Sequence, residues 1–107
     1  MRLRKSFDAI PDSEVLLITT ISDALAHPAR VNIFRYILQC NKNRSLVCNK
    51  DVVAAFDYAQ ATVSQHLKKL VDSGLVQVKK TERFSYYYAN MGALAEYLTA
   101  TKKFGKG

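Results

Sequence analysis

Apolar residues recur along this chain first at helical spacing, then in alternation, then at helical spacing again. Val15, Leu16, Leu17, Ile18, Ile21 and Leu25 predict a helix from about Asp12 to Leu25, with Asp12 or Ser13 as its cap. Its apolar positions cover more than one narrow stripe, so it must be buried on more than one side. Pro28 opens a second helix carrying Val31, Ile33, Phe34, Ile37 and Leu38, which fades near Cys40–Asn43. His27 falls at or beside its N-cap and reads as a structural loop histidine. A short third helix spans Asn49 or Lys50 to Phe56, with Val52, Val53 and Phe56 as contacts and Ala54 and Ala55 as sites of close helix approach. Asp57-Tyr58-Ala59 turns the chain into a fourth helix, which starts at Gln60 and is closed by Gly74. Val63, Leu67, Leu70 and Val71 share one face of it. Then Val76 and Val78 alternate with Gln77 and Lys79, while Phe84, Tyr86 and Tyr88 alternate with Ser85 and Tyr87. These are two strands of a hairpin with Thr81-Glu82-Arg83 at its tip. A last helix, Met91–Thr101, places Leu94, Tyr97 and Leu98 on one face.

The polar positions of the fourth helix give the pattern its meaning. Thr62, Ser64, Gln65, Lys68 and Lys69 carry hydroxyls, an amide and ammonium groups, which suit base edges and phosphates. Lys79, Lys80 and Arg83 surround the hairpin tip. Two short helices joined by a three-residue turn, followed by a basic hairpin, predict a winged helix-turn-helix. The fold class is mainly α with a small β-hairpin, in one domain over residues 1–107 with short basic tails.

Charge sharpens this picture. The net charge is +7, of which Arg2, Arg4, Lys5, Lys102, Lys103 and Lys106 near the ends supply +6. The segment 60–89 carries +3, so basic charge and candidate reading surface coincide there. No apolar run approaches the roughly 18 residues of a membrane span. No secretory apolar stretch follows the basic N-terminus, where Asp8, Pro11 and Asp12 intervene. With two cysteines and no disulfide framework, the expected location is cytoplasmic. No nucleophile elbow, phosphate loop or H-E-x-x-H pattern is present, so the chain does not read as an enzyme.

Three segments resemble the arsenic-repressor (ArsR-type) family of bacterial winged-helix regulators. They are Ala24-Leu25-Ala26-His27-Pro28-Ala29-Arg30-Val31-Asn32-Ile33-Phe34, then Ala61-Thr62-Val63-Ser64-Gln65-His66-Leu67-Lys68-Lys69-Leu70, then Gly74-Leu75-Val76 with Tyr86-Tyr87-Tyr88. The resemblance runs from about Asp12 to Thr101. It implies a homodimeric transcriptional repressor whose first and last helices pair across a two-fold axis. Two recognition helices about 34–36 Å apart then favour an inverted-repeat operator in double-stranded DNA.

In that arrangement Thr62, Ser64, Gln65 and Lys69 enter the major groove, with Gln65 making the direct base contact. His66 and Lys68 approach phosphates, and Lys79, Lys80 and Arg83 set the wing against the DNA backbone or minor groove. The chain departs from the family at its metal sites. Where relatives place C-x-C it has Val47-Cys48-Asn49-Lys50-Asp51, and its last helix offers Glu96 and no histidine. The expectation is no metal and no cofactor, with the inducer unknown. Cys40 and Cys48 flank the loop between the second and third helices and form a possible redox switch. The competing reading is a winged-helix protein-interaction module, whose lysines meet an acidic partner without preference for any DNA sequence.

Overall fold

The computed structural model describes residues 10–105; Arg2, Arg4, Lys5 and Lys106 of the basic ends lie outside them. Five helices and one hairpin follow in order: α1 (Asp12–Ala24), α2 (Pro28–Lys42), α3 (Asn49–Phe56), α4 (Gln60–Asp72), β1 (Val76–Lys80), β2 (Ser85–Ala89) and α5 (Met91–Lys102). A 3-10 turn, Lys103–Gly105, ends the described chain.

The helical period buries the inner stripes of α2, α3 and α4, while Val15 and Leu16 of α1 and Leu98 of α5 stay exposed. Ile21 of α1, Ile33 and Ile37 of α2, Val52 of α3, and Val63, Leu67 and Leu70 of α4 are sealed from solvent, with Leu75 and Val76 beside them. Each such aliphatic side chain contributes about 1.5–3 kcal/mol by leaving water. Some positions differ from expectation. Val31 is partly exposed, because α2 packs through Ile33, Phe34 and Ile37 instead. Ala54 and Ala55 face solvent, so they do not serve helix approach.

Neither Asp12 nor Ser13 caps α1. Pro11 is the N-cap, without a side-chain bond, and its carbonyl accepts from the Glu14 and Val15 N–H groups at 2.9 and 3.0 Å. His27 does cap α2, and does so with its ring: Nδ1 accepts the Ala29 N–H at 3.0 Å. The turn between α3 and α4 manages without glycine because Asp57 takes the left-handed conformation itself, at φ 57°. Asp tolerates that region better than most residues. Ala59 stands as the uncapped N-cap of α4. Gly74 has φ 85° with open space where a Cβ would stand, so glycine is needed there for backbone conformation.

The hairpin is antiparallel, with Val76 opposite Ala89 and Lys80 opposite Ser85. Its tip needs no glycine either. The Thr81 N–H bonds to the Phe84 carbonyl at 2.8 Å, and the Thr81 hydroxyl oxygen accepts the Phe84 N–H at 3.1 Å. Phe84 therefore belongs to the turn and is exposed, outside the strand. Tyr87 and Ala89 pack toward the core, and two bonds stitch their strand to the body. The Tyr87 N–H reaches the Val47 carbonyl at 2.9 Å, and the Ala89 N–H reaches Asn41 Oδ1 at 2.8 Å.

α5 is capped by Asn90, whose Oδ1 accepts from the Ala93 N–H at 3.1 Å. It lies along α1, joined by the Ser22–Tyr97 hydroxyl pair at 2.8 Å. Lys103 is not a loose tail residue: its ammonium binds the Glu14 carboxylate at 2.8 and 2.9 Å. Large apolar side chains remain uncovered on this pair of helices and just past its end. Leu16 is 67% exposed, Leu98 56%, Met91 59% and Phe104 68%.

Candidate nucleic-acid interface

Helix α4 has two opposed faces. Val63, Leu67 and Leu70 are buried, whereas Thr62, Ser64, Gln65, Lys68 and Lys69 are exposed. At 3.6 residues per turn, Gln65 lies about half a turn from the buried stripe, at the centre of the outer face. Its amide offers both a donor and an acceptor, the combination that matches an adenine edge. The wing cations Lys79, Lys80 and Arg83 are also exposed, and none has an ion-pair partner among the described residues.

Ser64, Lys68 and Lys69 of this face are engaged by neighbours. Asn49 Nδ2, at the start of α3, donates to Ser64 Oγ at 2.9 Å, which leaves the Ser64 hydrogen free to donate outward. Lys68 pairs with Asp72 one turn on, at 2.8 Å. Lys69 reaches Asp23 near the end of α1 at 2.6 Å, and that bond and charge hold the Asp23 carboxyl below its usual range.

His66 sits differently from the rest. It is half-buried, its ring centroid 4.7 Å from that of His27, and its Nδ1 lies 3.4 Å from the Arg30 guanidinium. Arg30 also donates from Nε to the Ala24 carbonyl at 2.6 Å, so one side chain joins the end of α1 to α4. Burial, then the neighbouring His27 and Arg30, push the His66 pKa below its ordinary 6.5. Protonation is thus easier in the unfolded chain than in the folded one. The stabilisation from neutral His66 is present above pH 6.5 and is lost as pH falls through the lower folded value. Thermal melts should show a falling midpoint on acidification from pH 7.5 to pH 5, with His66→Gln flattening the fall. Superimposable pH profiles for the two proteins would remove this role. Arg30 and Asn49 were not singled out in the sequence; each acts through a partner distant along the chain, which no local pattern reveals.

Cys40 and Cys48 are free thiols and both are partly buried. They gather around two phenols. Burial and a hydrogen bond with Cys40 push Tyr36 up to about 12, with Asp51 and Cys48 adding to the effect. Burial, then Cys48, raises Tyr87. Among the described residues no three His, Cys, Asp or Glu side chains converge as a metal site would require. Soft metal ions want several thiolates or imidazoles in one place, and two thiols among tyrosines do not fit one.

A family model described as bacterial regulatory protein, arsR family, matches residues 27–78, which run from the α2 cap through α4 into the wing. The chain is 30% identical over 81 residues to the arsenical resistance operon repressor of Staphylococcus aureus, covering 76% of this chain and 73% of that protein.

The chain belongs to the arsR family of bacterial regulatory proteins.

The repressor of the same name from Staphylococcus xylosus is 33% identical over 73 residues, covering 68% of this chain and 65% of its own length. The chain thus spans about two thirds of the curated relatives it matches. Among solved structures, a possible transcriptional regulator for arsenical resistance superimposes with a TM-score of 0.64 at 26% identity, covering 77% of this chain and 80% of that one. A homodimeric winged helix-turn-helix DNA-binding domain from Mycobacterium bovis superimposes with a TM-score of 0.65 at 19% identity, covering 94% and 90% of the two chains. The fold of this arsR-family chain is therefore a winged helix-turn-helix, with α3 and α4 as the helix-turn-helix and β1–β2 as the wing.

Proposed function

We propose that this arsR-family protein is a homodimeric, sequence-specific DNA-binding repressor in the cytoplasm, acting on an inverted-repeat operator. The observation that carries the proposal is the division of α4 into a sealed apolar stripe and an outer face centred on Gln65, beside three wing cations with no ion-pair partner among the described residues. Thr62, Ser64, Gln65 and Lys69 take the major groove. Lys68 and His66 lie toward its phosphate edges, and Lys79, Lys80 and Arg83 take the DNA backbone beside the wing. Lys69 exchanges its Asp23 partner for DNA on binding. The alternative, a protein-interaction module, is not favoured, since both curated relatives are operon repressors. Catalysis has no part in this proposal.

Fluorescence anisotropy on the protein's own upstream DNA against random duplex tests the reading. A preference of about 10³-fold or more is expected. Gln65→Ala should cost about 1–3 kcal/mol of discrimination while leaving random-duplex affinity nearly unchanged. Lys80→Ala or Arg83→Ala should weaken every sequence alike and shallow the salt dependence. Equal binding to operator and random DNA by the unmodified protein would sink the proposal.

The cysteine pair adds a regulatory proposal. An exogenous oxidant such as hydrogen peroxide takes two protons and two electrons from the Cys40 and Cys48 thiols, forming one disulfide and two waters. That bond would fasten the end of α2 to the start of α3, at the base of the helix-turn-helix. Peroxide-treated protein should yield a linked peptide pair two hydrogens lighter than its reduced parts, with weakened operator binding that reductant restores. Cys48→Ser should lose both effects; an unlinked pair in oxidised protein would end the idea.

A further inference from the structure

A cavity of about 720 Å³ opens between α2, the end of β2 and the start of α5, away from the outer face of α4. The DNA-binding proposal makes no use of it. Its apolar wall comes from Leu38, Ala89, Met91 and Leu94. Arg35 and Lys42, one on each side of Leu38 along α2, supply two cations. No carboxylate lines the cavity, and neither cation has an ion-pair partner among the described residues. Asn41 and Tyr88 add an amide and a phenol at the same wall.

An apolar wall with two cations, an amide and a phenol and no acidic residue selects against cations and offers a neutral molecule only half of what it provides. An anion with an apolar body meets both halves, since charge-assisted bonds to Arg and Lys are about twice as strong as neutral ones. The volume lies within the roughly 300–1,000 Å³ typical of small-molecule sites.

We infer that this cavity binds a small amphipathic organic anion, an aromatic carboxylate in chemical class, with its carboxylate between Arg35 and Lys42 and its ring against Leu38, Met91 and Leu94. The chain's own first residues are poor occupants, because Arg2, Arg4 and Lys5 bring like charge to those cations. The position suits an effector. Asn41, which lines the cavity, also holds the Ala89 N–H at 2.8 Å, so an occupant meets the bond joining the wing to α2. It also meets the first turn of α5.

The test uses the full chain, 1-naphthoate as probe, and 1-naphthamide and 1-naphthylmethylamine as its neutral and cationic counterparts. Methyl NMR reads binding directly, whether or not the protein binds DNA. Naphthoate should shift the Leu38, Met91 and Leu94 methyls and bind about tenfold more tightly than the amide, with the amine weakest. Arg35→Gln combined with Lys42→Gln should reduce naphthoate to the level of the amide. Both side chains are exposed, so the double variant should melt with the parent protein. The inference is overturned by absence of shifts, by equal binding of the three compounds, or by naphthoate affinity that survives the double substitution. It is equally overturned if contacts between copies show a second chain's side chains already seated on Leu38.

Discussion

Leu16→Glu combined with Leu98→Glu should yield a folded monomer whose affinity for an inverted-repeat operator is down about 10²–10⁴-fold. Leu16 is 67% exposed and Leu98 56% exposed, so neither supports the interior of its own chain. With Val15 they are exposed apolar positions of α1 and α5, two helices that the Ser22–Tyr97 bond holds side by side. Large side chains left in water together mark a surface that another molecule covers, and the proposed second copy is that molecule. Two carboxylates placed there would have to be desolvated without partners on dimerisation, which opposes it strongly. The loss on DNA follows because linked half-site contacts exceed single ones by about 10²–10⁴-fold in avidity. Light scattering reads the oligomeric state, and anisotropy on a half-site and a full operator reads the coupling. A variant that stays dimeric would move the interface elsewhere; a monomer that still binds the full operator tightly would separate dimerisation from recognition.

Leu67→Ala should destabilise the protein by about 2–5 kcal/mol, a large part of the roughly 5–15 kcal/mol available to a small domain. Leu67 is 1% exposed and stands between Val63 and Leu70 in the stripe that fixes α4 to the body. Removing its branched end leaves a void among fully buried neighbours. The matched control is Gln65→Ala on the opposite face, which should change stability by no more than about 0.5 kcal/mol. Urea unfolding at one fixed protein concentration reads both, since the stability of a dimer depends on concentration. A Leu67→Ala cost no larger than that of Gln65→Ala would mean that the recognition helix is held by something other than its apolar stripe.

Most of the element order was legible because each segment repeats its apolar residues at the period of its own structure. The α4 stripe and the strand alternation are local signals, and α4 and β1 stand where the pattern puts them, while β2 begins at Ser85, just after Phe84. End chemistry was less legible. Pro11 begins α1 although Asp12 and Ser13 are the better caps by type, since a helix can start on backbone bonds alone. Asp57 replaces the missing glycine because its backbone adopts φ 57°, a choice the turn imposes. The basic charge near the C-terminus read as a tail; Lys103 instead meets Glu14, a residue far along the chain but near in space.

By itself the sequence determined the winged helix-turn-helix order, the split of α4 into a core side and a polar side, the excess apolar surface of α1 and the thinness of the soft-ligand set. These follow from residue type and periodicity, which act within a few residues along the chain. Only the tertiary structure decided that Lys69 is held by Asp23, that His66 turns in against His27 and Arg30, and that Asn49 orients Ser64. It alone also opened the cavity between α2, β2 and α5. Those features depend on which surfaces meet when helices pack. That is set by the fit of the whole core, in which Ile21, Ile37, Val63 and Leu70 are buried together, and by no single stretch of chain.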